Sequence, residues 1–371
     1  MDNVTHSLFA VTLTRTRLGS AGRGTTAALL LASNAPDIDI VTLAGGPVSY
    51  LKWHRGPTHG PLGVIGLGLA SAGIAWALQQ YLDRKRPNVP ADPPATFAML
   101  VAVSILGVLL HVLMDLPTSY GTRLLSPLDW HWFAVDWMPI IDVYLLLTLG
   151  IGLLGRPSPA QSRAKAAIVI TLMAVNYGVR AVSHDQALAL VPQLFGPTLP
   201  APCDPTTPAR LPIDSWPRAA APSSPPPGRR CLVEVTAMPT FVSPFRWRIV
   251  AQFSNAYEIR DVDLLDGRFG ADADDASDAP WRLTLRYPNV WTPTVTQAAH
   301  THLGDVFLGF SRFPAARSAL DPRGVTTVRW SDMRFAGPTV PGDQTSFRSG
   351  MFTATVRIDA DGRVMQETLG R

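Results

Sequence analysis

The sequence predicts an α-helical polytopic membrane domain followed by a small, mainly antiparallel β domain outside the cytoplasm. Residues 1–190 are rich in Leu, Ala, Val, Ile and Gly and carry few charges, whereas the rest of the chain has an ordinary soluble composition. The mean hydropathy of +0.14 therefore averages two unlike halves. We expect a membrane domain over 1–190, a Pro-rich linker over 191–230 and a soluble β domain over 231–371.

Four segments have the apolar character of membrane spans, which need about 20 residues each. They cover residues 61–81, 96–114, 139–154 and 164–182. Two shorter stretches, 4–18 and 25–33, barely reach across a bilayer at about 1.5 Å per residue, so they are short spans or a re-entrant pair. The alternative is a soluble helical core, but the glycine-rich run from Gly60 to Ala70 favours close helix contacts in lipid.

Basic residues in three loops set the predicted orientation. If the spans alternate, all three loops lie on one side, which should be cytoplasmic because cytoplasmic loops are enriched in Lys and Arg. We therefore expect a multi-pass protein of the bacterial inner membrane with its C-terminal domain outside the cytoplasm. The N-terminus has no basic region of the kind that opens a usual signal peptide. The loop residues are Arg15, Arg17, Arg23, Arg84, Lys85, Arg86, Arg156, Arg163 and Lys165.

Alternating apolar and polar residues predict strands in the C-terminal part. Examples begin at Trp247, Trp281 and Thr327, and Asp361-Gly362 is a hairpin signal. The two cysteines, Cys203 and Cys231, form a disulfide if this region lies outside the cytoplasm, or remain as two free thiols.

The histidines and aspartates of the membrane half lie at the ends of its apolar segments. Ionisable groups are costly to bury there, so they indicate a functional site, and His combined with Asp suits a divalent metal. We expect zinc, with manganese as the alternative, as one or two ions. The predicted metal ligands are His6, Asp37, His54, His59, His111 and Asp115, and the predicted catalytic carboxylates are Asp39 and Asp142.

Spacing supports several of these choices, and each has a structural alternative. His54 and His59 flank Arg55 just before a span, where a solvated interfacial loop would look the same. The i, i+4 pair His111 and Asp115 shares one helix face, as two ligands or as a simple hydrogen-bonded pair would.

The aspartates could instead have only a structural role at the ends of helices. Asp37 and Asp39 are separated by one residue and could ligate metal or only terminate a helix near Pro36. Asp142 also suits the N-terminal end of a helix dipole.

Three further residues are predicted to contact substrate. Arg55 would receive an anionic oxygen, and Tyr120 and Arg123 lie in the outside loop. The net charge of +4 comes without a Lys/Arg run interleaved with aromatics, so no nucleic-acid partner is expected.

These motifs resemble the YdjM family of membrane-bound, predicted metal-dependent hydrolases. The resemblance covers most of residues 1–185, and the β domain resembles an extension carried by some members. The family looks distantly similar to zinc-dependent phospholipase C and its related nucleases, through the His111/Asp115 pair. This chain lacks an evident later His-x-x-x-Glu pair, so a full three-metal cluster is not expected. The matching segments are 1–6, 36–39, 54–59, 111–115 and 118–121, with Pro127 and Asp142.

The function expected from these observations is a membrane-embedded metal-dependent hydrolase. Its predicted substrate is a lipid or lipid-linked phosphoester at the extracytoplasmic face, and the lipid bilayer is its other predicted partner. One alternative is an ion-coupled transporter or relay, which would spread its ionisable residues through the depth of the membrane. The other is a non-catalytic anchor that presents the β domain.

Overall fold

A computed structural model describes residues 1–85, 93–155, 158–195, 199–204, 213–216, 218–222, 230–265, 285–335 and 352–370. The chain forms two compact units. The first comprises Met1–Val41 and Trp53–Ala181, and the second comprises Thr42–Lys52 and Val182–Arg371. The expectations for Arg86, Arg156, the start of the Trp281 strand and parts of the Pro-rich linker lie outside the described residues.

The membrane half is helical, as predicted. Two 3-10 segments, Arg17–Ala21 and Ala35–Gly45, flank the second helix. The helices are α1 (Asn3–Thr14), α2 (Thr25–Ala32), α3 (Pro47–Trp53), α4 (Pro61–Lys85), α5 (Phe97–Asp115), α6 (Val143–Gly152) and α7 (Pro159–Ala189), with a short strand β1 (Trp132–Ala134) before α6.

Among the described residues, the helices α4, α5 and α7 are long and apolar enough to cross a membrane. A fourth span is possible if α2 and the 3-10 segment after it, which meet at a bend of 44°, cross together. The span predicted over 139–154 is instead the ten-residue helix α6. Its start is set by Asp142, whose side chain accepts a hydrogen bond from the Leu145 N–H.

Small residues let the helices approach closely. A Cβ added at Gly68 of α4 would lie 2.9 Å from the Cα of Ile105 in α5, and one at Gly107 of α5 would lie 2.9 Å from the Cβ of Ala32. Such sites are typical of helix contacts in lipid, where close packing drives association. The last contact brings the end of α2 against the last turns of α5.

Two arginines connect helix ends at the opposite end of the unit from the contact between α2 and the last turns of α5. Arg15, just after α1, donates to the carbonyls of Gly152 and Leu153 at the end of α6. Arg23, just before α2, pairs with Asp83 near the end of α4. The basic turns predicted to share one side are therefore joined at one end of this unit.

The second unit contains two antiparallel four-stranded sheets, which confirms the predicted β domain. The first sheet has the order β3 (Leu232–Pro239), β4 (Arg246–Phe253), β5 (Ala256–Asp263) and β6 (Leu285–Pro288). The second has the order β10 (Val364–Leu369), β9 (Thr353–Ile358), β8 (Thr326–Asp332) and β7 (Pro314–Leu320). The remaining elements are α8 (Val191–Leu194), β2 (Asp214–Trp216), α9 (Pro293–Ala299), α10 (His302–Phe310) and the 3-10 turn Met333–Phe335.

The Asp361-Gly362 hairpin is confirmed as the turn between β9 and β10. Gly362 has φ +80°, a left-handed conformation that favours glycine. Asp359 closes the turn because its side chain accepts hydrogen bonds from the N–H groups of Asp361 and Arg363. Cys203 and Cys231 form a disulfide, so the alternative of two free thiols does not hold.

Candidate metal centre

Four ionisable residues from three separate segments converge at one end of the helical unit. Asp37 lies in the 3-10 segment after α2, His59 lies in the loop before α4, and His111 and Asp115 lie in the last turns of α5. One ligand atom from each lies within 4.8 Å of all the others. Asp37 is the most exposed of the four, since the side chains of the other three are fully buried.

The distances between the histidine nitrogens and the carboxylate oxygens fit ligands of one shared ion better than they fit direct hydrogen bonds. The Nε2 atoms of His59 and His111 lie 3.4 and 3.5 Å from Asp115 Oδ2, and 3.9 and 3.7 Å from Asp37 Oδ1. An N–H···O bond has a heavy-atom distance of about 2.7–3.2 Å. Ligand atoms around a tetrahedral zinc, at bond lengths near 2.0–2.1 Å, lie about 3.3 Å apart.

The histidine nitrogens that face the centre make no hydrogen bond within the described part of the chain. Both Nε2 atoms, of His59 and of His111, are buried without a donor or acceptor in hydrogen-bonding geometry. Buried polar atoms of this kind are rare in native proteins and call for a missing ion or water. Two imidazoles and two carboxylates match the ligand types of zinc, so the residues present fit a divalent metal.

His111 is oriented by the backbone. Its Nδ1 lies 2.8 Å from the carbonyl oxygen of Ser33, which can only accept, so Nδ1 carries the proton. The Nε2 lone pair is thereby directed to Asp37 and Asp115, as in metal sites whose histidine donates its other N–H to a carbonyl. The close approach at Gly107 places the end of α2 against this turn of α5.

His59 is held by its own loop. Its Nδ1 lies 3.0 Å from the hydroxyl of Thr58. Burial, followed by the neighbouring His111 and Arg55, lowers the pKa of His59 well below its usual value. The ring is therefore neutral at physiological pH, which is the form that ligates a metal.

Asp39 organises the loop that carries the histidines. Its Oδ2 accepts a 2.7 Å hydrogen bond from the N–H of Arg55, whose backbone has φ 49°. His54 directs Nδ1 to the same carboxylate, at 3.3 Å from Oδ1. Burial lowers the pKa of His54, and the hydrogen bond to Asp39 opposes that shift. His54 thus faces Asp39 and lies outside the four-residue group, and its ligand role remains a prediction.

Arg55 lies against the centre. Its Nη2 is 3.1 Å from Asp115 Oδ2, and its Nη1 donates to the Gly121 carbonyl at 2.9 Å. The guanidinium also lies over the ring of Tyr120, 4.9 Å from its centroid. The predicted substrate residues Arg55 and Tyr120 are therefore neighbours beside the centre.

His6 is a direct neighbour of the four-residue group. Its ring stacks on His111 with centroids 3.8 Å apart, and its Nε2 lies 3.4 Å from Asp115 Oδ1. The α-amino group of Met1 contacts the same oxygen. His6 is not one of the four, and its ligand role remains a prediction.

Asp142 and Arg123 have other partners. Asp142 caps α6 and forms a fully buried ion pair with Arg180 of α7, at 2.5 Å. Arg123 lies over the rings of Trp130 and Trp132, at 4.8 and 4.7 Å, and burial lowers its pKa to about 10. Neither belongs to the four-residue group, and their catalytic and substrate roles remain predictions.

Sequence reasoning missed two groups that shape this region. The Ser33 carbonyl orients His111, but every residue has a carbonyl, so no residue type could have marked it. Arg180 pairs with Asp142, and the signal available was an arginine inside an apolar helix, a position at which a charge needs a partner.

Comparison of the sequence with known proteins identifies its family. A relative named as the uncharacterized protein YfhP of Bacillus subtilis (strain 168) is 28% identical over 121 residues, which is 33% of each chain. The match thus spans one third of that relative's length. No solved structure matches the chain. The family model of the YdjM inner membrane protein matches residues 1–187, which include the candidate centre and all but the last two residues of α7. The chain therefore belongs to the YdjM inner membrane protein family.

Proposed function

We propose that this protein is a membrane-embedded, metal-dependent hydrolase that cleaves a phosphate ester of a lipid or lipid-linked substrate. The observation that carries the proposal is the buried group Asp37, His59, His111 and Asp115, whose ligand atoms lie within 4.8 Å. A transporter or relay would spread such residues through the membrane. Here they meet at one end of the helical unit.

The chain supplies the surroundings that phosphoester hydrolysis needs. A bound divalent ion would polarise the scissile group and lower the pKa of water toward about 7. The guanidinium of Arg55 lies 3.1 Å from Asp115, where it can donate hydrogen bonds to a phosphate oxygen. Asp37 is the most exposed of the four residues, so we expect substrate and water to approach the ion past its side chain. Zinc is our first choice of metal and manganese the second, because both accept imidazole or carboxylate ligands.

Exposed apolar side chains next to the histidine loop, residues 54–59, favour a lipid-borne substrate. Leu128 is 86% exposed, and Trp53 and Trp130 are each 39% exposed. The two tryptophan rings meet edge to face at 5.6 Å, and Trp130 packs against Gly56 of the histidine loop. Exposed tryptophans are typical of the membrane–water interface, so a substrate held in the headgroup layer would reach the centre directly.

Metal content is the first test. The full chain, purified in detergent, is compared by elemental analysis with a His59→Ala/His111→Ala variant and with His131→Ala, an exposed loop histidine that pairs with Asp129. We expect about one zinc or manganese per chain in the wild type and in His131→Ala. The double variant should lose at least 90% of it, because two of four ligands are gone.

Activity is the second test. Release of phosphate from phosphatidic acid in mixed micelles is compared with release from p-nitrophenyl phosphate, for the same three proteins. We expect turnover of the lipid in the wild type and in His131→Ala only. A wild type that holds no more metal than the double variant, even after reconstitution, would contradict the metal centre. Bound metal without turnover of any phosphoester would contradict the hydrolase and leave the centre standing.

A further inference from the structure

A second candidate binding surface lies on the sheet β7–β10 of the C-terminal unit. Successive side chains along each strand point to opposite faces of the sheet. Val356 and its β10 partner Glu367 share the face of α10, because Glu367 accepts a hydrogen bond from the Leu303 N–H. Arg329 and Arg357 lie on the opposite face, which we call the arginine face.

The strand register gathers basic and hydroxyl side chains on the arginine face. Arg317, Arg329, Thr355 and Thr368 are directly paired across the four strands in one row. Thr327, Arg357 and Gln366 follow in the next row. Like charges directly opposite each other, such as Arg317 and Arg329, destabilise a sheet. Among the described residues, no acidic side chain stands in these two rows.

A cavity of about 220 Å³ opens on this face, lined by Arg329, Thr355, Arg357, Gln366 and Thr368. Within the described residues, Arg329 Nε and Thr355 Oγ1 are buried and make no hydrogen bond. The ion pair of Arg357 with Asp321 is loose, at 4.0 Å, and both side chains are more than a third exposed. The cavity therefore offers guanidinium and hydroxyl donors that the protein itself leaves unused or weakly paired.

We propose that the arginine face binds a phosphate-type oxyanion, free in solution or carried by a lipid headgroup. Arginine forks match phosphate oxygens in paired hydrogen bonds, and threonine hydroxyls complete the contacts. A terminal phosphate offers three oxygens, which suits two guanidinium groups and the hydroxyls between them better than the two oxygens of one carboxylate do. This site belongs to the C-terminal unit, and the proposal does not rest on the hydrolase.

Titration calorimetry on the full chain in detergent tests the site with two probes, inorganic pyrophosphate and monomeric dihexanoyl phosphatidic acid. The variants are Arg329→Gln, Arg357→Gln and the matched control Arg323→Gln, which removes the same charge from the exposed turn between β7 and β8. His111→Ala separates this binding from the candidate metal centre. Thermal unfolding of each variant checks that the domain is folded.

We expect saturable binding that weakens at least tenfold in Arg329→Gln and Arg357→Gln and persists in Arg323→Gln and His111→Ala. Binding of both probes would identify the phosphate group as the recognised element, and binding of the lipid alone would identify the headgroup as its source. Either result supports the site. Absence of saturable binding, or equal loss in Arg323→Gln, or loss only in His111→Ala, would overturn it.

Discussion

At the scale of single residues, Asp39 shows how a carboxylate outside a candidate metal centre can position the loop that carries one of its residues. Both of its oxygens are engaged, one by the Arg55 N–H and one by His54. The loop that follows carries His59, and the strained φ of Arg55 persists because this carboxylate holds it. We therefore expect Asp39 to act on the candidate centre by holding the loop that positions His59.

This role predicts a difference between two substitutions of Asp39. Asp39→Ala removes the acceptor, and we expect it to weaken metal affinity by about 10–100-fold, as loss of a supporting partner does. Asp39→Asn keeps one carbonyl acceptor for the Arg55 N–H, so metal affinity should stay within a few fold of the wild type. Competition with a chelator of known affinity measures both. An Asn variant that holds metal but has no turnover would instead favour the catalytic role predicted from the sequence.

The buried pair of Asp142 and Arg180 gives a second prediction at this scale. Arg180→Met leaves a buried carboxylate without its cation, which should cost about 3–5 kcal/mol in the free energy of unfolding. The double variant Asp142→Asn/Arg180→Met removes both charges and keeps an N-cap for α6, so it should recover at least half of that loss. Unfolding in mixed detergent measures all three proteins. Equal losses in the single and double variants would show that the pair is not what stabilises this region.

Residue spacing predicted much of the centre. The i, i+4 spacing predicted that His111 and Asp115 share one helix face. The alternation of the spans predicted that Asp37 and His59 lie at the same end of the helical domain, and the four residues do form one group. His54 could not be distinguished from His59 in this way, because both lie in one short loop and their spacing does not show which ring faces the other ligands. In the structure, His54 faces Asp39 and His59 faces Asp37 and Asp115.

At the scale of elements, two glycines of α4 distinguish a closely packed position from an open one. Gly68 meets the backbone of Ile105, whereas nothing lies within 4 Å of a Cβ added at Gly73 of the same helix. We expect Gly68→Ala to lower the free energy of unfolding by about 1–3 kcal/mol, because the helices must move apart. Gly73→Ala should be neutral or stabilise by about 0.5–1 kcal/mol through helix propensity. Thermal unfolding in detergent measures both, and equal effects would contradict the close α4–α5 contact.

Hydropathy predicted the long helices but not the length of α6. The apolar run over 139–154 suggested a span, yet the helix has ten residues, because the chain before Asp142 is not helical and Asp142 caps the first turn. At about 1.5 Å per residue, α6 is about 15 Å long, half the hydrocarbon core of a bilayer. Composition reports how apolar a segment is, whereas the cap decides where its helix begins.

At the scale of the whole molecule, the position of the basic residues and the disulfide favour one orientation. Arg15 joins the end of α1 to the end of α6, Arg23 joins the start of α2 to the end of α4, and Lys165 lies near the start of α7. Cytoplasmic ends of spans are enriched in such residues. The 31 residues of α7 extend about 46 Å, enough to carry the chain across the bilayer. With this orientation, we expect the disulfide Cys203–Cys231 to lie outside the cytoplasm, where disulfides persist.

This orientation predicts the behaviour of reporter fusions. Alkaline phosphatase, which is active only outside the cytoplasm, should be active when fused after Arg371 and inactive when fused after Gly155, between α6 and α7. A green fluorescent protein that folds only in the cytoplasm should give the opposite pattern at the same two positions. The reverse result would show that the protein has the opposite orientation in the membrane. The group Asp37, His59, His111 and Asp115 would then lie at the cytoplasmic face. The metal-content test would be unaffected, because ligand geometry does not depend on the side, but the substrate would then have to come from the inner leaflet.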